Sequence, residues 1–132
     1  ELAKTIARAR ELGIETIACA DSLAEGTAIA AFRPDILLCE PTDLIGTGRT
    51  ADDSYTTSIV AKIRSIDPTI AVMIASGITT ADDVYRVVRL GADGSGATSG
   101  ILNAPDPTER IMEMAKAIVR AAEVRQAEES AA

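Results

Sequence analysis

The sequence predicts an α/β fold in which parallel strands are covered by helices. Short apolar runs alternate with segments of helical periodicity along the chain, which is the pattern of repeated βα units. The composition is 47% hydrophobic but only 2% aromatic, so aliphatic side chains must build the core, as they do in parallel sheets. At 132 residues, the chain is predicted to form a single domain, residues 1–132, with a core of its own.

The first predicted elements are a helix, a strand and a second helix. Apolar spacing predicts the first helix over residues 2–12, and Gly13 behind it is suited to a helix C-cap. The apolar run over residues 14–20 predicts the first strand. Ser22 is a good N-cap for a second helix, predicted over residues 23–32.

The second strand and the third helix flank a long predicted loop. Pro34 breaks the second helix, and the short apolar run 35–39 fits a buried parallel strand. Residues 40–54 form the loop. Asp52 near its end offers an N-cap for a helix predicted over residues 55–66.

The remaining predicted elements are two strands and two helices. A third strand covers residues 70–75, and Thr80 with Asp83 has the spacing of a capping box for a helix that runs to Leu90. Residues 92–98 are predicted as a fourth strand. Its glycines either weaken it or allow unusually close packing against a neighbour. A long final helix follows two prolines and is predicted to fray through a tail rich in Glu and Ala.

This order of elements fits either an α/β barrel or a doubly wound sheet. Four strands are too few to close a barrel of eight. Each open edge of a four-stranded sheet would also expose unpaired backbone groups. The chain is therefore predicted to be half of a barrel, or a sheet that pairs with a second half.

Composition also limits the classes of partner. The net charge of −7 disfavours nucleic acid and anionic membranes as partners. No apolar run reaches the length of a membrane span and the first residues do not resemble a signal peptide, so a soluble, cytoplasmic protein is expected. Cys19 and Cys39 lack metal-type spacing and are predicted to be reduced. No metal and no cofactor are predicted.

Residues 36–48 carry the strongest functional signal. The second predicted strand delivers a carboxylate, Glu40, at its C-terminal end. The loop behind it has a stiff hinge, an apolar tip and glycines at its far end, at Pro41, Leu44, Ile45, Gly46 and Gly48. Such a loop is built like a lid, and a lid beside a carboxylate indicates a base in a site that closes and expels water. A solvated carboxylate at a strand end is the plainer alternative.

Glycines also mark the loops that follow three successive predicted strands. They are Gly46, Gly48, Gly77, Gly96 and Gly100. In an α/β barrel these loops gather on one face, where their backbone N–H groups can point at a phosphate. Ordinary turn chemistry explains any one of these glycines. Their presence in three loops together favours a phosphate site.

The run Glu-Pro-Thr-Asp-Leu-Ile-Gly-Thr-Gly at residues 40–48 resembles the catalytic strand and lid of the triosephosphate isomerase family, above all its archaeal-type members. The resemblance continues at residues 75–80 and 94–101. It implies that the chain is the C-terminal half of a TIM (β/α)8 barrel, covering about four βα units, strands five to eight with the preceding helix. The Thr-Asp pair replaces the family's usual Pro-Glu.

The resemblance also implies a reaction and a role for individual residues. Glu40 would shuttle a proton during the interconversion of glyceraldehyde 3-phosphate and dihydroxyacetone phosphate. The lid would consist of Pro41, Thr42, Asp43, Leu44, Ile45, Gly46, Thr47 and Gly48. The phosphate of the triose would be held at Gly46, Gly77, Thr98 and Ser99.

The family further requires a lysine and a histidine that lie outside the part resembled here, and this chain has no histidine. The implied partners are therefore the N-terminal half of the barrel and a phosphorylated triose, and the chain alone is expected to be inactive. A homo-oligomer, dimer or tetramer, is also implied. The alternatives are another phosphate-binding barrel enzyme, such as an aldolase or sugar-phosphate isomerase, and a non-catalytic phosphate-binding half-barrel.

Overall fold

The computed structural model describes residues 1–132, which form four strands and six α-helices. The strands are β1 (Ile17–Ala20), β2 (Ile36–Cys39), β3 (Ala71–Ile74) and β4 (Gly94–Ser95). The helices are α1 (Leu2–Glu11), α2 (Leu23–Ala30), α3 (Asp53–Ile66), α4 (Ala81–Arg89), α5 (Ser99–Leu102) and α6 (Pro107–Ala131). One turn of 3-10 helix covers Thr42–Leu44. Neither this turn nor α5 is predicted by the sequence. None of the helices combines the length and the apolar character that a membrane crossing needs.

The four strands form one parallel sheet in the order in which they occur along the chain, β1-β2-β3-β4. Leu37 at the centre of the sheet pairs with Ala18 on one side and Val72 on the other. A doubly wound sheet reverses its strand order at a switch point, whereas a barrel adds each strand beside the previous one. The observed order is that of a barrel, which decides between the two predicted architectures.

The two faces of this sheet differ sharply in burial. Successive side chains on a strand point to opposite faces. One face lies under the helices and is fully buried, through Ala18, Ala20, Leu37, Cys39, Val72 and Ile74. On the other face, Ile17 is 61% exposed and Cys19 is exposed as well. The sheet therefore has one covered face and one open face, and the hydrophobic core lies on the helix side only.

Side-chain caps fix the starts of α2, α3, α4 and α6, and α3 begins two residues earlier than predicted. The capping box is confirmed, because the Thr80 hydroxyl accepts from the Asp83 N–H while the Asp83 carboxylate accepts from the Thr80 N–H. Partial burial raises the pKa of Asp83. Hydrogen bonds from the N–H groups and hydroxyls of Thr79 and Thr80 outweigh this effect and bring the pKa below its ordinary value of 3.8.

The first and last strands are shorter than predicted. β1 begins only at Ile17, because the Ile14 N–H still donates to Ala9 at the end of α1. β4 is limited to Gly94–Ser95. A Cβ on Gly96 would lie 3.7 Å from the Cβ of Ala75, which is ordinary contact. The glycines therefore shorten the last strand and do not serve unusually close packing there.

The prediction that the last helix frays is wrong, since α6 continues to Ala131. Ala and Glu are strong helix formers, and tertiary contacts hold the tail. Arg89 makes a two-pronged ion pair with Glu128, with both N–O distances at 2.9 Å. Arg125 donates to the carbonyl oxygens of Val88 and Ala92 at 3.1 and 2.9 Å, so α6 is joined to the end of α4 and the loop behind it.

Candidate active site

A cavity of about 380 Å³ lies at the C-terminal ends of the strands, among the loops that follow β2, β3 and β4. The predicted base and all four predicted phosphate residues line it, namely Glu40, Gly46, Gly77, Thr98 and Ser99. These residues come from three separate loops that the sheet order brings side by side. One carboxylate and the backbone of three glycine-containing loops thus line the cavity. The roles of these residues stay predictions.

Glu40 follows β2 directly, and its N–H donates to the carbonyl of Ala20 at 2.8 Å. This bond extends the β1-β2 pairing by one residue and fixes the backbone of Glu40. Cys39 before it is buried under the helices, so the alternation of side chains directs Glu40 to the open face. Glu40 is half-buried, and none of the salt bridges in the chain includes it. Its carboxylate is thus available to a ligand in the cavity.

The predicted lid, residues 41–48, is ordered by its own backbone. The 3-10 turn is closed by a hydrogen bond from the Leu44 N–H to Pro41 at 3.0 Å, and the Thr47 N–H donates to Leu44 at 3.1 Å. Gly46 lies at φ +72°, a left-handed conformation that suits glycine. The apolar tip is only partly packed, because Leu44 is half-buried while Ile45 is 55% exposed at the wall of the cavity.

The turn after β3 contacts both ends of the lid. The Ser76 hydroxyl donates to the carbonyl oxygen of Pro41 at 2.8 Å. Gly77 lies at φ +70°, and a Cβ there would collide with the carbonyl group of Arg49. Sequence reasoning identified this turn by its glycine, but nothing in the sequence indicates that its serine reaches the proline of another loop.

The sequence also does not indicate the role of Arg86 in α4, which binds the segment that follows the lid. Its guanidinium donates to the Thr50 hydroxyl at 2.6 Å, to the Ala51 carbonyl at 3.4 Å and to the Asp53 carboxylate at 2.6 Å. The position of Arg86 on the predicted helix indicates only a polar surface residue. Its three partners lie far from it in sequence, which is why no local pattern could reveal them.

The loop after β4 is held against the loop after β3 by a glycine. A Cβ on Gly100 would collide with the carbonyl oxygen of Ile78, so only glycine allows this approach. Thr98 is the N-cap of the short helix α5, and its carbonyl accepts from the Leu102 N–H at 2.9 Å. Thr98 and Ser99 line the cavity together with Glu40 and Gly46.

The two cysteines are free and differ in environment. Burial raises the pKa of the Cys39 thiol to about 12, so this thiol stays protonated and does not act as a nucleophile. Cys19 is exposed on the open face of the sheet. No group of three or more His, Cys, Asp and Glu side chains is arranged to hold a metal ion.

The parallel strands follow one another in sequence order, their buried side chains lie on one face of the sheet, and a cavity lies at their C-terminal ends. These features define the chain as part of a (β/α)8-barrel protein. Comparison with known proteins narrows the class. The family model described as triosephosphate isomerase matches residues 1–118, and the chain belongs to that family.

Curated archaeal relatives agree with this membership. The triosephosphate isomerase of Sulfolobus acidocaldarius is 33% identical over 127 residues, which cover 95% of this chain and 55% of the relative. The enzyme of Sulfurisphaera tokodaii is 36% identical over 115 residues, covering 86% and 50%. The chain therefore spans about half the length of the curated relatives it matches.

Among solved structures, the BexX/CysO complex of Amycolatopsis orientalis contains a similar chain. The TM-score is 0.65 at 20% identity, and the match covers 92% of this chain and 49% of that one. At this identity the likeness concerns the fold alone. It agrees with a partial barrel.

Proposed function

We propose that this chain is the C-terminal half of a triose-phosphate isomerase, a single domain that carries the base, the lid and the phosphate loops. The proposal rests on one observation above all: Glu40, Gly46, Gly77, Thr98 and Ser99 line the same cavity. Membership of the triosephosphate isomerase family supports it. The substrate class is a phosphorylated triose.

In this proposal Glu40 is the general base. Its carboxylate removes a proton from the carbon beside the carbonyl group, and the electron pair of that C–H bond forms an enediolate. The same carboxyl group then returns the proton to the neighbouring carbon, while the hydroxyl proton moves from one oxygen of the enediolate to the other. The carbonyl group thereby moves by one position and all atoms are accounted for. Glu40 forms no salt bridge within the chain, so its carboxylate remains free for this proton transfer.

The backbone of three loops would bind the phosphate group. N–H groups at Gly46, Gly77 and Ser99 are close to the cavity, and N–H donors in turns suit a phosphate without adding a charged side chain. Closure of the lid over the substrate would exclude water. In a dry site the carboxylate is a stronger base, and the enediolate is protected from losing its phosphate.

The N-terminal half of the barrel is the proposed partner of the open sheet face. It would cover Ile17 and Cys19, and it would supply the electrophile and the lysine that the family resemblance implies. The chain itself has no histidine to polarise the carbonyl group. Without the partner the enediolate lacks stabilisation, and we expect the chain alone to be inactive. We also propose a homo-oligomer and a cytoplasmic location, where phosphorylated trioses occur.

The test is a coupled assay of the interconversion of glyceraldehyde 3-phosphate and dihydroxyacetone phosphate. It is run on the chain alone and on the chain joined to the N-terminal half of the Sulfolobus acidocaldarius relative. We expect turnover only in the joined protein, and Glu40→Gln should lower kcat by about 10²- to 10⁴-fold. Glu123→Gln is the matched control, because Glu123 is an exposed carboxylate on α6, away from the cavity.

The joined protein must also be shown to unfold cooperatively. If it does and has no isomerase activity, the proposal is wrong. Titration with inorganic phosphate, followed by amide chemical shifts, then decides between the alternatives. Shifts at Gly46 and Gly77 would indicate another phosphate-binding barrel or a binding module, and unchanged shifts would exclude a phosphate site.

A further inference from the structure

Ser76, the first residue of the turn after β3, has an unusual backbone conformation. It lies at φ +78°, and the only other non-glycine residue with a positive φ is Arg33. L-residues with a side chain rarely adopt this left-handed region, because Cβ approaches the backbone carbonyl. Ser76 is also buried, with 6% of its surface exposed, and it lines the same cavity as Glu40.

The hydroxyl of Ser76 explains why a serine is found there instead of a glycine. It donates to the carbonyl oxygen of Pro41 at 2.8 Å. Pro41 directly follows Glu40, so this hydrogen bond fixes the peptide group between Pro41 and Thr42, one residue beyond the base and within the first turn of the lid. The same carbonyl accepts from the Leu44 N–H at 3.0 Å, which closes the first turn of the lid. One oxygen atom, in the residue that follows the base, thus connects the first turn of the lid to the turn after β3.

The neighbouring residue contacts the opposite end of the lid. Gly77 leaves room for the carbonyl group of Arg49, the residue that follows the lid in the sequence. Residues 76 and 77 therefore touch both points between which the lid must move. The contact at Arg49 is steric and can separate freely, whereas the contact at Pro41 is a directional hydrogen bond.

We propose that Ser76 is a positioning residue, whose hydroxyl holds the N-terminal hinge of the lid and thereby the orientation of Glu40. The strained conformation of Ser76 is retained because it aims the hydroxyl at Pro41. The consequence for Glu40 rests on the proposed isomerase function. The hinge contact itself does not, and the two are tested by separate measurements.

The variants are Ser76→Ala, which removes the hydroxyl and keeps the strain, and Ser76→Gly, which removes both. The matched control is Ser95→Ala, because the Ser95 hydroxyl donates to the carbonyl oxygen of Ile74 at the same 2.8 Å but touches no part of the lid. All are made in the protein in which this chain is joined to the N-terminal half of the Sulfolobus acidocaldarius relative. Far-UV circular dichroism confirms that each variant is folded.

The first measurement is the rate of tryptic cleavage after Arg49, followed by mass spectrometry. Cleavage of a folded protein follows the population of the open state, and the hydrogen bond sets that population at the hinge. Both Ser76 variants should be cleaved about three- to tenfold faster, the factor that corresponds to one neutral hydrogen bond. Ser95→Ala should be cleaved at the parent's rate.

The second measurement is steady-state kinetics. A hinge that orients Glu40 should affect kcat, which should fall about three- to tenfold in both Ser76 variants with KM unchanged within twofold. Parental cleavage and kcat in Ser76→Ala overturn the proposal. Parental rates of cleavage and turnover in Ser76→Gly would also overturn it, because the effect of Ser76→Ala would then come from backbone strain and not from the hydroxyl. An effect of Ser95→Ala equal to that of the Ser76 variants would overturn it as well. Faster cleavage in a joined protein without isomerase activity supports the hinge contact and overturns the proposed function.

Discussion

The carbonyl group of Arg49 occupies the space that a side chain on Gly77 would need. The two residues lie in different loops, one behind the lid and the other after β3. Gly77 also lies at φ +70°, so two separate physical reasons exclude a side chain there. By contrast, Gly46 in the lid has a similar φ of +72°, and a Cβ there would have no atom within 4 Å.

This pair of glycines gives a matched prediction on stability. Gly46→Ala should cost about 1 kcal/mol, from the left-handed conformation alone. Gly77→Ala should cost about 1–3 kcal/mol more, because the end of the lid must move away from the new methyl group. Urea unfolding of both variants measures the difference. Equal losses of stability would show that Arg49 is not held against Gly77 in solution.

Arg86 should control the far end of the lid with little effect on global stability. Its ion pair with Asp53 is at the surface, with 41% and 60% of the two side chains exposed, and such pairs contribute about 0–1 kcal/mol. We expect Arg86→Ala to speed hydrogen exchange at residues 49–51. Arg86→Lys should not restore protection, because an ammonium group lacks the fork that reaches all three partners.

The control for this prediction is Arg89→Ala, on the same helix. Arg89 also forms a surface ion pair, but its partner is Glu128 of α6, away from the lid. Exchange at residues 49–51 should be unchanged in that variant. Faster exchange in both variants would mean that α4 as a whole had loosened and that Arg86 has no specific role.

The reactivity of the two cysteines should show whether the N-terminal half covers the open face of the sheet. In the chain alone, Cys19 should react with iodoacetamide, while Cys39 should stay unlabelled because it is buried with a pKa of about 12. Joining the N-terminal half should protect Cys19 as well. Mass spectrometry of the tryptic peptides measures both, and urea should expose both thiols. Rapid labelling of Cys19 in the joined protein would contradict a closed barrel.

Asp83 should make the stability of α4 depend on pH at the acid end. Its pKa is lowered in the folded state, so its charged form stabilises the fold above the ordinary aspartate value of 3.8. That contribution is lost as the pH falls through the lower, folded-state pKa. The difference in the free energy of unfolding between the parent and Asp83→Asn should therefore be largest near pH 6 and shrink below about pH 4.

The control here is Asp82→Asn, which removes the neighbouring carboxylate but no part of the capping box. It should leave this acid dependence in place. Urea midpoints measured between pH 6 and pH 2.5 are sufficient for the comparison. A constant difference between the parent and Asp83→Asn over this range would rule out the lowered pKa.

Local patterns were sufficient for most of the fold. The capping box at Thr80 and the apolar runs of β2 and β3 depend on residues within a few positions of one another, and the structure confirms them. The end of α6 could not be predicted, because the ion pair between Arg89 and Glu128 joins two helices. The length of β4 depended on its pairing with β3, which no single strand reveals.

The candidate site divides in the same way. Glu40, Pro41 and the glycines of the predicted lid form one continuous run, so the sequence alone was enough to predict a carboxylate beside a lid. The bond from Ser76 to Pro41 and the contacts of Arg86 were decided by tertiary structure only. Hydrophobic periodicity and turn residues act over short stretches of chain. Which loops meet at the end of a sheet depends instead on strand order and register, and these are set by the packing of the whole chain.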